Sequence, residues 1–169
     1  MAHPTNVPWY DAYPKPSTLT PPVISRAELL EWIKQGKEAG NDYLVVDLRR
    51  DDHTGGFLRG SLNLPIESLY PALPTIYNLV KAADIQTVIW YCADPASCTV
   101  TSRGRGYRAA AWFGDFLAER NELGIKSVAL FEGILGWALA GDEYTQHIDE
   151  FDPTAWKKDD ASKHTCQLK

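Results

Sequence analysis

The chain has 169 residues, of which 44% are hydrophobic and 23% are charged, and its formal net charge is −5. This composition is that of an ordinary folded protein, and it excludes global disorder and collagen-like repeats. No apolar stretch reaches about 18 residues, so no membrane span is predicted. Residues 1–10 lack the pattern of a secretory signal. The negative net charge disfavours a nucleic-acid surface.

Length and tail composition predict one domain between two tails. Six prolines in residues 1–22 predict an extended lead-in, whose aromatic residues Trp9, Tyr10 and Tyr13 are expected to pack on the body. The domain is expected to span residues 23–150. A polar tail, residues 151–169, follows and is expected to fray.

The first predicted helix follows Ser25, which forms a capping box with Glu28. Its apolar stripe is expected to end near Gly36 or Gly40, since glycine commonly follows a helix end. Residues 43–47 then form a short, almost continuous apolar run, which is typical of a strand buried on both faces.

The later elements continue this alternation of strands and helices. After a short extended piece at 62–65, residues 66–83 are predicted to be helical, with interruptions at Pro71 and Pro74. The strongest predicted strand is β-branched and aromatic and covers residues 87–92. The elements predicted after it are a helix at 107–120, a strand at 127–131 and a short helix at 133–139.

Strands that alternate with helices predict the fold class. We expect a single α/β domain with a central parallel sheet and helices on both faces. In such sheets functional sites form at the carboxyl ends of the strands. Three strand ends carry chemistry here, at residues 47–50, 92–108 and 131–133.

The three cysteines are the candidate nucleophiles. Cys92, Cys98 and Cys166 are an odd number and do not resemble a secreted disulfide framework, so we expect a reducing compartment, the cytosol or the nucleus. A thiol stays available as a nucleophile there. The histidines have no zinc-type spacing with the cysteines, so neither a metal nor a cofactor is expected.

Segment 92–108 starts where a strand ends and finishes where a helix begins. Backbone N–H groups and the positive end of that helix therefore converge on one point, where a thiolate is stabilised. Arg103, Arg105 and Arg108 add bidentate anion binding. Such a cluster of cations at a helix start is unfavourable unless an anion or carboxylate compensates it. The segment therefore predicts a thiolate nucleophile beside an oxyanion of sulfur, phosphorus or arsenic.

Three motifs resemble those of the rhodanese-like domain family. Residues 45–49 resemble its strand ending in Asp-x-Arg, and residues 55–65 resemble its Gly-His-Ile-x-Gly-Ala-x-Asn-Ile-Pro signature, with Phe57 in the histidine position. Residues 131–137 resemble its closing Gly-Gly-x-x-x-Trp element. The resemblance spans about residues 23–145 and implies the fold of sulfurtransferases, M-phase inducer phosphatases and eukaryotic arsenate reductases. Cys92 stands in the position of the family's nucleophile.

The loop after Cys92 departs from the family's pattern. Phosphatase and arsenate-reductase members have His-Cys-x5-Arg, but here Tyr91 precedes Cys92 and the first arginine after it is Arg103. Counted from Cys98, Arg103 matches the shorter loop of sulfurtransferase members. Either the loop has an insertion after Cys92 or the nucleophile has moved to Cys98, and the rigid strand end favours Cys92. An inert buried Cys92 and a reversible Cys92–Cys98 disulfide remain open.

The predicted site combines catalytic, anion-binding and supporting residues. Asp47 and Arg49 are expected to form an ion pair or to bind loop backbone, and Asp94 is a candidate general acid. The candidate catalytic residues are Cys92, Cys98 and Arg103, and the candidate anion-binding residues are Ser102, Gly104, Arg105, Gly106 and Arg108.

The resemblance implies three alternative functions. The first is a sulfurtransferase in which Cys92 takes a sulfane sulfur from a donor such as thiosulfate and passes it on to a thiol or cyanide. The second is a phosphatase or an arsenate reductase, in which Arg103 or Arg105 clamps the oxyanion. The third is a binding or regulatory module without turnover. The expected partner is a small anionic or thiol substrate, or a phosphoprotein, and neither nucleic acid nor a membrane.

Overall fold

A computed structural model describes residues 9–93 and 104–156 of the chain. Its centre is a five-stranded sheet in which every neighbouring pair is parallel, in the order β1-β6-β5-β2-β4. Strands β3 and β7 form a separate antiparallel pair. The strands are β1 Val23–Ile24, β2 Leu44–Asp47, β3 Phe57–Leu58, β4 Leu62–Asn63, β5 Thr87–Tyr91, β6 Lys126–Leu130 and β7 Ile148–Asp149. The helices are α1 Arg26–Lys34, α2 Ile66–Ala82, α3 Arg105–Glu119, α4 Gly133–Ala138 and α5 Asp142–Thr145, with 3₁₀ turns at Trp9–Ala12 and Pro153–Trp156.

Helices cover both faces of the sheet, which confirms the predicted α/β fold class. On one face α2 and α3 pack against alternate strand residues such as Val46, Val88 and Trp90. On the other face α1 and α4 pack against the intervening residues, among them Val45 and Ile89. The central strands are therefore buried on both sides, which is why their sequences read as continuous apolar runs.

Helix α1 begins after Ser25 and ends just before Gly36, as its sequence predicts, but the described residues form only the Ser25 half of the predicted capping box. The Ser25 hydroxyl accepts a hydrogen bond of 3.1 Å from the Glu28 amide, so the cap satisfies one of the backbone donors that a helix start leaves unpaired. The helix ends at Lys34, and Gly36 follows with φ of +83°. This left-handed conformation is one that glycine adopts without cost.

Helix α2 corrects one prediction, because it runs unbroken through Pro71 and Pro74. Both prolines are exposed, so water can satisfy the carbonyls that lose their intrahelical partners. Burial of an apolar side chain contributes roughly 1.5–3 kcal/mol, and this gain outweighs the proline penalty. The buried residues that supply it recur at helical spacing: Ile66, Leu69, Leu73, Ile76 and Val80.

The described part of the lead-in lies against α2 and α3. Tyr13 stacks on Tyr70 with ring centroids 4.8 Å apart, and the Trp112 indole donates to the Pro14 carbonyl at 2.8 Å. The Ser17 amide donates to the Asp115 carboxylate at 2.8 Å. The aromatic residues thus hold this segment on the helical layer, as their presence in a proline-rich stretch predicts.

At the other end, the described residues after 150 also pack on the domain. The Trp156 indole donates to the Gly55 carbonyl at 2.7 Å. A Cβ at Gly55 would lie 2.6 Å from that indole nitrogen, so the contact requires glycine there.

Among the described residues, no helix combines the length and apolar character needed to cross a membrane.

Candidate active site

Cys92 directly follows β5, the central strand of the sheet, and is 2% exposed. Its carbonyl accepts a hydrogen bond of 3.1 Å from the Ile134 amide at the start of α4. Gly133 has φ of +54°, and a Cβ there would overlap the Cys92 carbonyl oxygen. The tight turn from β6 into α4 therefore holds the backbone of Cys92 in place, which explains the glycine of the motif at residues 131–137.

This contact makes Gly133→Ala a sharp test of the turn. Gly36→Ala is the matched control, because Gly36 also has a positive φ but has no atom near its Cβ position. The control is expected to lose roughly 1–2 kcal/mol from backbone strain. Gly133→Ala adds an overlap with backbone, and we expect it to lose about 1–3 kcal/mol more. Urea unfolding measures both variants, and equal losses would mean that Gly133 and Cys92 are not tightly packed.

Arg105, the first residue of α3, links Cys92 to the loop after β2. Its guanidinium contacts the Cys92 thiol and forms two hydrogen bonds to the Asp52 carboxylate, of which the Nη1–Oδ1 bond is 2.8 Å. The hydrogen bond to Asp52 is the main cause that raises the pKa of Arg105. A permanent positive charge therefore lies beside the thiol, where it stabilises negative charge on sulfur.

Asp52 was not among the candidate residues, although the sequence carried a signal for it. A cluster of arginines at a helix start needs a compensating anion or carboxylate, and Asp52 supplies one from another loop. The sequence could not select it among the many acidic residues, because Asp52 and Arg105 are 53 positions apart. They meet because β2 and β5 are neighbours and their carboxyl ends share one edge of the sheet.

The Asp52–Arg105 pair predicts a loss of stability in acid. The hydrogen bond from Arg105 lowers the pKa of Asp52 to about 2, so the pair is stabilising above the unfolded-state pKa of about 3.9. This contribution is lost as the pH falls through about 2. Because the Asp52 side chain is 41% exposed, we expect it to be about 1 kcal/mol or less.

Unfolding by urea between neutral pH and pH ~2 measures the contribution of the Asp52–Arg105 pair to the free energy of unfolding. Asp52→Asn is expected to be less stable than the wild type at neutral pH and to converge with it in acid. Asp51→Asn is the matched control, since the neighbouring Asp51 side chain is 88% exposed and should change the profile little. A constant gap between Asp52→Asn and the wild type over this range would contradict the ion-pair explanation.

The remaining described residues of the predicted anion site lie at the start of α3. Gly104 caps the helix, and Gly106 packs against β5, where an added Cβ would lie 3.2 Å from the Trp90 carbonyl oxygen. The Arg108 guanidinium lies over the Tyr10 ring, with its carbon 3.8 Å from the centroid. Arg105 is thus placed at Cys92, whereas Arg108 stacks on the lead-in.

Asp47 and Arg49 form the buried ion pair that the sequence predicts, and each side chain is 0% exposed. The Arg49 Nη2 atom lies 2.6 Å from Asp47 Oδ2. The guanidinium also donates to the carbonyls of Thr54 and Gly56, at 2.9 Å and 2.7 Å. This pair therefore fixes the loop between β2 and β3, the loop that also carries Asp52.

Tyr91, the last residue of β5, precedes Cys92 and makes hydrogen bonds through its hydroxyl to a neighbouring turn. Its hydroxyl accepts a hydrogen bond of 3.2 Å from the Leu58 amide and lies 3.0 Å from the Ser61 hydroxyl. Burial, followed by the negative charge of Asp47, raises the pKa of Tyr91. The phenol consequently stays neutral and ties the end of β5 to the turn between β3 and β4.

Several predicted residues lie outside the described residues. These are Asp94, Cys98, Ser102, Arg103 and Cys166. The choice between Cys92 and Cys98, and a disulfide between them, therefore stay predictions. Within residues 9–93 and 104–156, no cluster of His, Cys, Asp and Glu could hold a metal ion.

Comparison with known proteins identifies the fold. No family model and no curated protein matches the chain. Among solved structures it is similar to Ygr203w of Saccharomyces cerevisiae, described as a protein tyrosine phosphatase of the rhodanese family, with a TM-score of 0.56, 20% identity, and 80% of this chain and 96% of that chain covered. It is also similar to the As-Sb reductase of Leishmania major, with a TM-score of 0.54, 19% identity, and 68% and 73% covered. The chain is therefore a domain of the rhodanese-like fold, as its three motifs predict.

Proposed function

We propose that the chain is a thiol-dependent sulfurtransferase whose nucleophile is Cys92. The observation that carries this proposal is the contact of the Arg105 guanidinium with the Cys92 thiol at the end of the central strand. A fixed positive charge beside a sulfur atom favours the thiolate and also attracts an anionic donor. The reduced thiol that this chemistry needs fits a reducing compartment.

With thiosulfate as the donor, sulfur transfer takes place in two steps. The Cys92 thiolate attacks the outer sulfur, the S–S bond of thiosulfate breaks, and sulfite leaves with the electron pair of that bond. Cys92 then carries a persulfide anion, which Arg105 stabilises. Cyanide or a thiolate attacks the outer sulfur of this persulfide, and the Cys92 thiolate is regenerated as thiocyanate or a new persulfide leaves.

The burial of Cys92 favours sulfur over a larger transferred group. At 2% exposure the residue is almost closed to solvent, and a closely packed interior yields only at a cost. A single added sulfur atom demands less room than a tetrahedral phosphoryl or arsenyl group. The burial of Cys92 therefore favours sulfur transfer over phosphoryl or arsenyl chemistry.

Oxyanion chemistry of the phosphatase or arsenate-reductase kind is the second candidate, and two observations favour it. Asp52 holds the Arg105 guanidinium beside the thiol through both terminal nitrogens, and a guanidinium is a group that binds phosphate and arsenate oxygens. The descriptions of the two neighbours name a tyrosine phosphatase and an As-Sb reductase. In this version the thiolate attacks phosphorus or arsenic, and Asp94 is the candidate acid that protonates the leaving group.

Parallel assays of the purified, reduced protein distinguish these functions. The first supplies thiosulfate with cyanide and measures thiocyanate, the second supplies an aryl phosphate, and the third supplies arsenate with glutathione. Mass spectrometry of the protein after thiosulfate alone is expected to show Cys92 heavier by one sulfur atom. Turnover only in the second or third assay would replace sulfur transfer by that chemistry. Inactivity in all three would favour a binding or regulatory module.

A further inference from the structure

A cavity of about 430 Å³ lies on the face of the sheet opposite α2 and α3. It is bounded by α1 and the loop after it, by β2, by the β3–β4 turn and by α4. This volume is within the range of cavities that hold small organic ligands, about 300–1,000 Å³. Neither Cys92 nor Arg105 lines it, so it is separate from the candidate active site.

The inner wall of the cavity is apolar and partly aromatic. It is formed by side chains that are at most 4% exposed and belong to the core between the sheet, α1 and α4. One wall is set by Gly60, whose φ is +76° and where a Cβ would lie 2.8 Å from the Ala39 Cβ. The buried lining residues are Leu29, Tyr43, Val45, Leu58 and Trp137.

The remaining lining residues include two cationic side chains, Arg59 and Lys37, together with Glu38 and His147. The Lys37 Nζ atom lies 4.4 Å from the centroid of the Trp32 ring. Arg59 donates through Nε to Asp149 and through Nη2 to the Gln146 carbonyl. Within the described part of the chain its Nη1 atom makes no hydrogen bond, so a donor remains available to an anion.

We propose that this cavity is a binding site for a small carboxylate with an apolar body. The apolar body would lie against the half-buried side chains of Ile33 and Ala39, and the carboxylate would lie at Arg59 and Lys37. The site does not depend on chemistry at Cys92.

The test is a titration of the reduced, full-length protein with 4-phenylbutyrate, followed by heteronuclear NMR. We expect saturable shift changes at the amides around the cavity and none centred on residues 92 and 105. The neutral isostere 4-phenylbutanamide is expected to bind about fivefold more weakly or worse, because it lacks the charge that Arg59 and Lys37 attract. Equal affinity of the two compounds, non-saturable shifts, or shifts centred on the active site would overturn the proposal.

Two variants locate the site within the protein. Ile33→Trp places a large ring on the cavity side of α1, since Ile33 is a lining residue, and is expected to weaken binding about tenfold or more. Ala27→Trp, on the exposed part of the same helix, is the matched control and should bind within about twofold of the wild type. Equal binding by Ile33→Trp and Ala27→Trp would contradict the assignment.

A third variant guards against misfolding of Ile33→Trp. Arg59→Gln changes a side chain that is 60% exposed and should reduce the preference for the carboxylate over the amide, leaving amide binding unchanged. An unchanged preference would also overturn the proposal. Cys92→Ser is expected to bind 4-phenylbutyrate like the wild type, so this result is independent of the sulfurtransferase activity.

Discussion

Replacement of Cys92 by serine is expected to lower thiocyanate formation from thiosulfate and cyanide by about 1000-fold or more. The hydroxyl of serine has a far higher pKa than a thiol and is a poor nucleophile toward sulfur, so Arg105 cannot ionise it. The substitution removes no contact of the Cys92 backbone, whose carbonyl still accepts from Ile134. Steady-state kinetics and the mass of the protein after thiosulfate measure the effect.

The other two cysteines provide the controls for this experiment. Cys98→Ser and Cys166→Ser are expected to retain activity close to that of the wild type. Unfolding of each variant by urea shows whether the fold has survived, since Cys92 is buried and a hydroxyl is more polar than a thiol. Activity that survives Cys92→Ser and disappears with Cys98→Ser would move the nucleophile into the long loop.

The pH dependence of alkylation gives a second view of the same thiol. A cysteine stabilised by Arg105 and by the start of α3 is expected to react with iodoacetamide with an apparent pKa below about 7.5. Cys98→Ser/Cys166→Ser, in which Cys92 is the remaining cysteine, makes the measurement specific. An ordinary value near ~8.5 would contradict the activated thiolate and favour a module without turnover.

The buried parallel strands follow from the sequence where the apolar pattern is strongest. Val45 and Val46 point to opposite faces, and each meets a helical layer, so the run has no polar alternation. Such a pattern identifies a buried parallel strand without any knowledge of its partners. The predicted interruptions of α2 at its prolines were wrong because the effect of proline on a helix is local, whereas the burial that outweighs it comes from tertiary packing.

The candidate site was predictable only in part, for a similar reason. Cys92 and Arg105 belong to one segment, and the pattern of a strand, a loop and a helix brings their backbones together. Asp52 comes from a different loop, and nothing local in its sequence marks it. The sequence predicted that Arg108 would bind an anion together with the other arginines. Its side chain instead packs on Tyr10, an aromatic residue of the distant lead-in, which no local pattern indicates.

Arg49→Met is expected to give the largest loss of stability among the substitutions considered, about 3–5 kcal/mol. It removes the guanidinium from the Asp47 carboxylate, which is 0% exposed and keeps only the His53 ring as a basic neighbour, 3.4 Å away. It also removes the donors to the Thr54 and Gly56 carbonyls. Desolvated charges and carbonyls without partners are both costly. Urea denaturation at neutral pH measures the loss.

Arg59→Met is the matched control, because it breaks an arginine–aspartate pair of similar length whose side chains are 60% and 37% exposed. Its expected cost is about 1 kcal/mol or less, since solvent screens the pair and replaces its hydrogen bonds. A double variant, Asp47→Leu/Arg49→Met, should regain part of the stability lost in Arg49→Met, because it removes the stranded carboxylate as well. Equal losses for Arg49→Met and Arg59→Met would show that burial of the Asp47–Arg49 pair does not set its contribution.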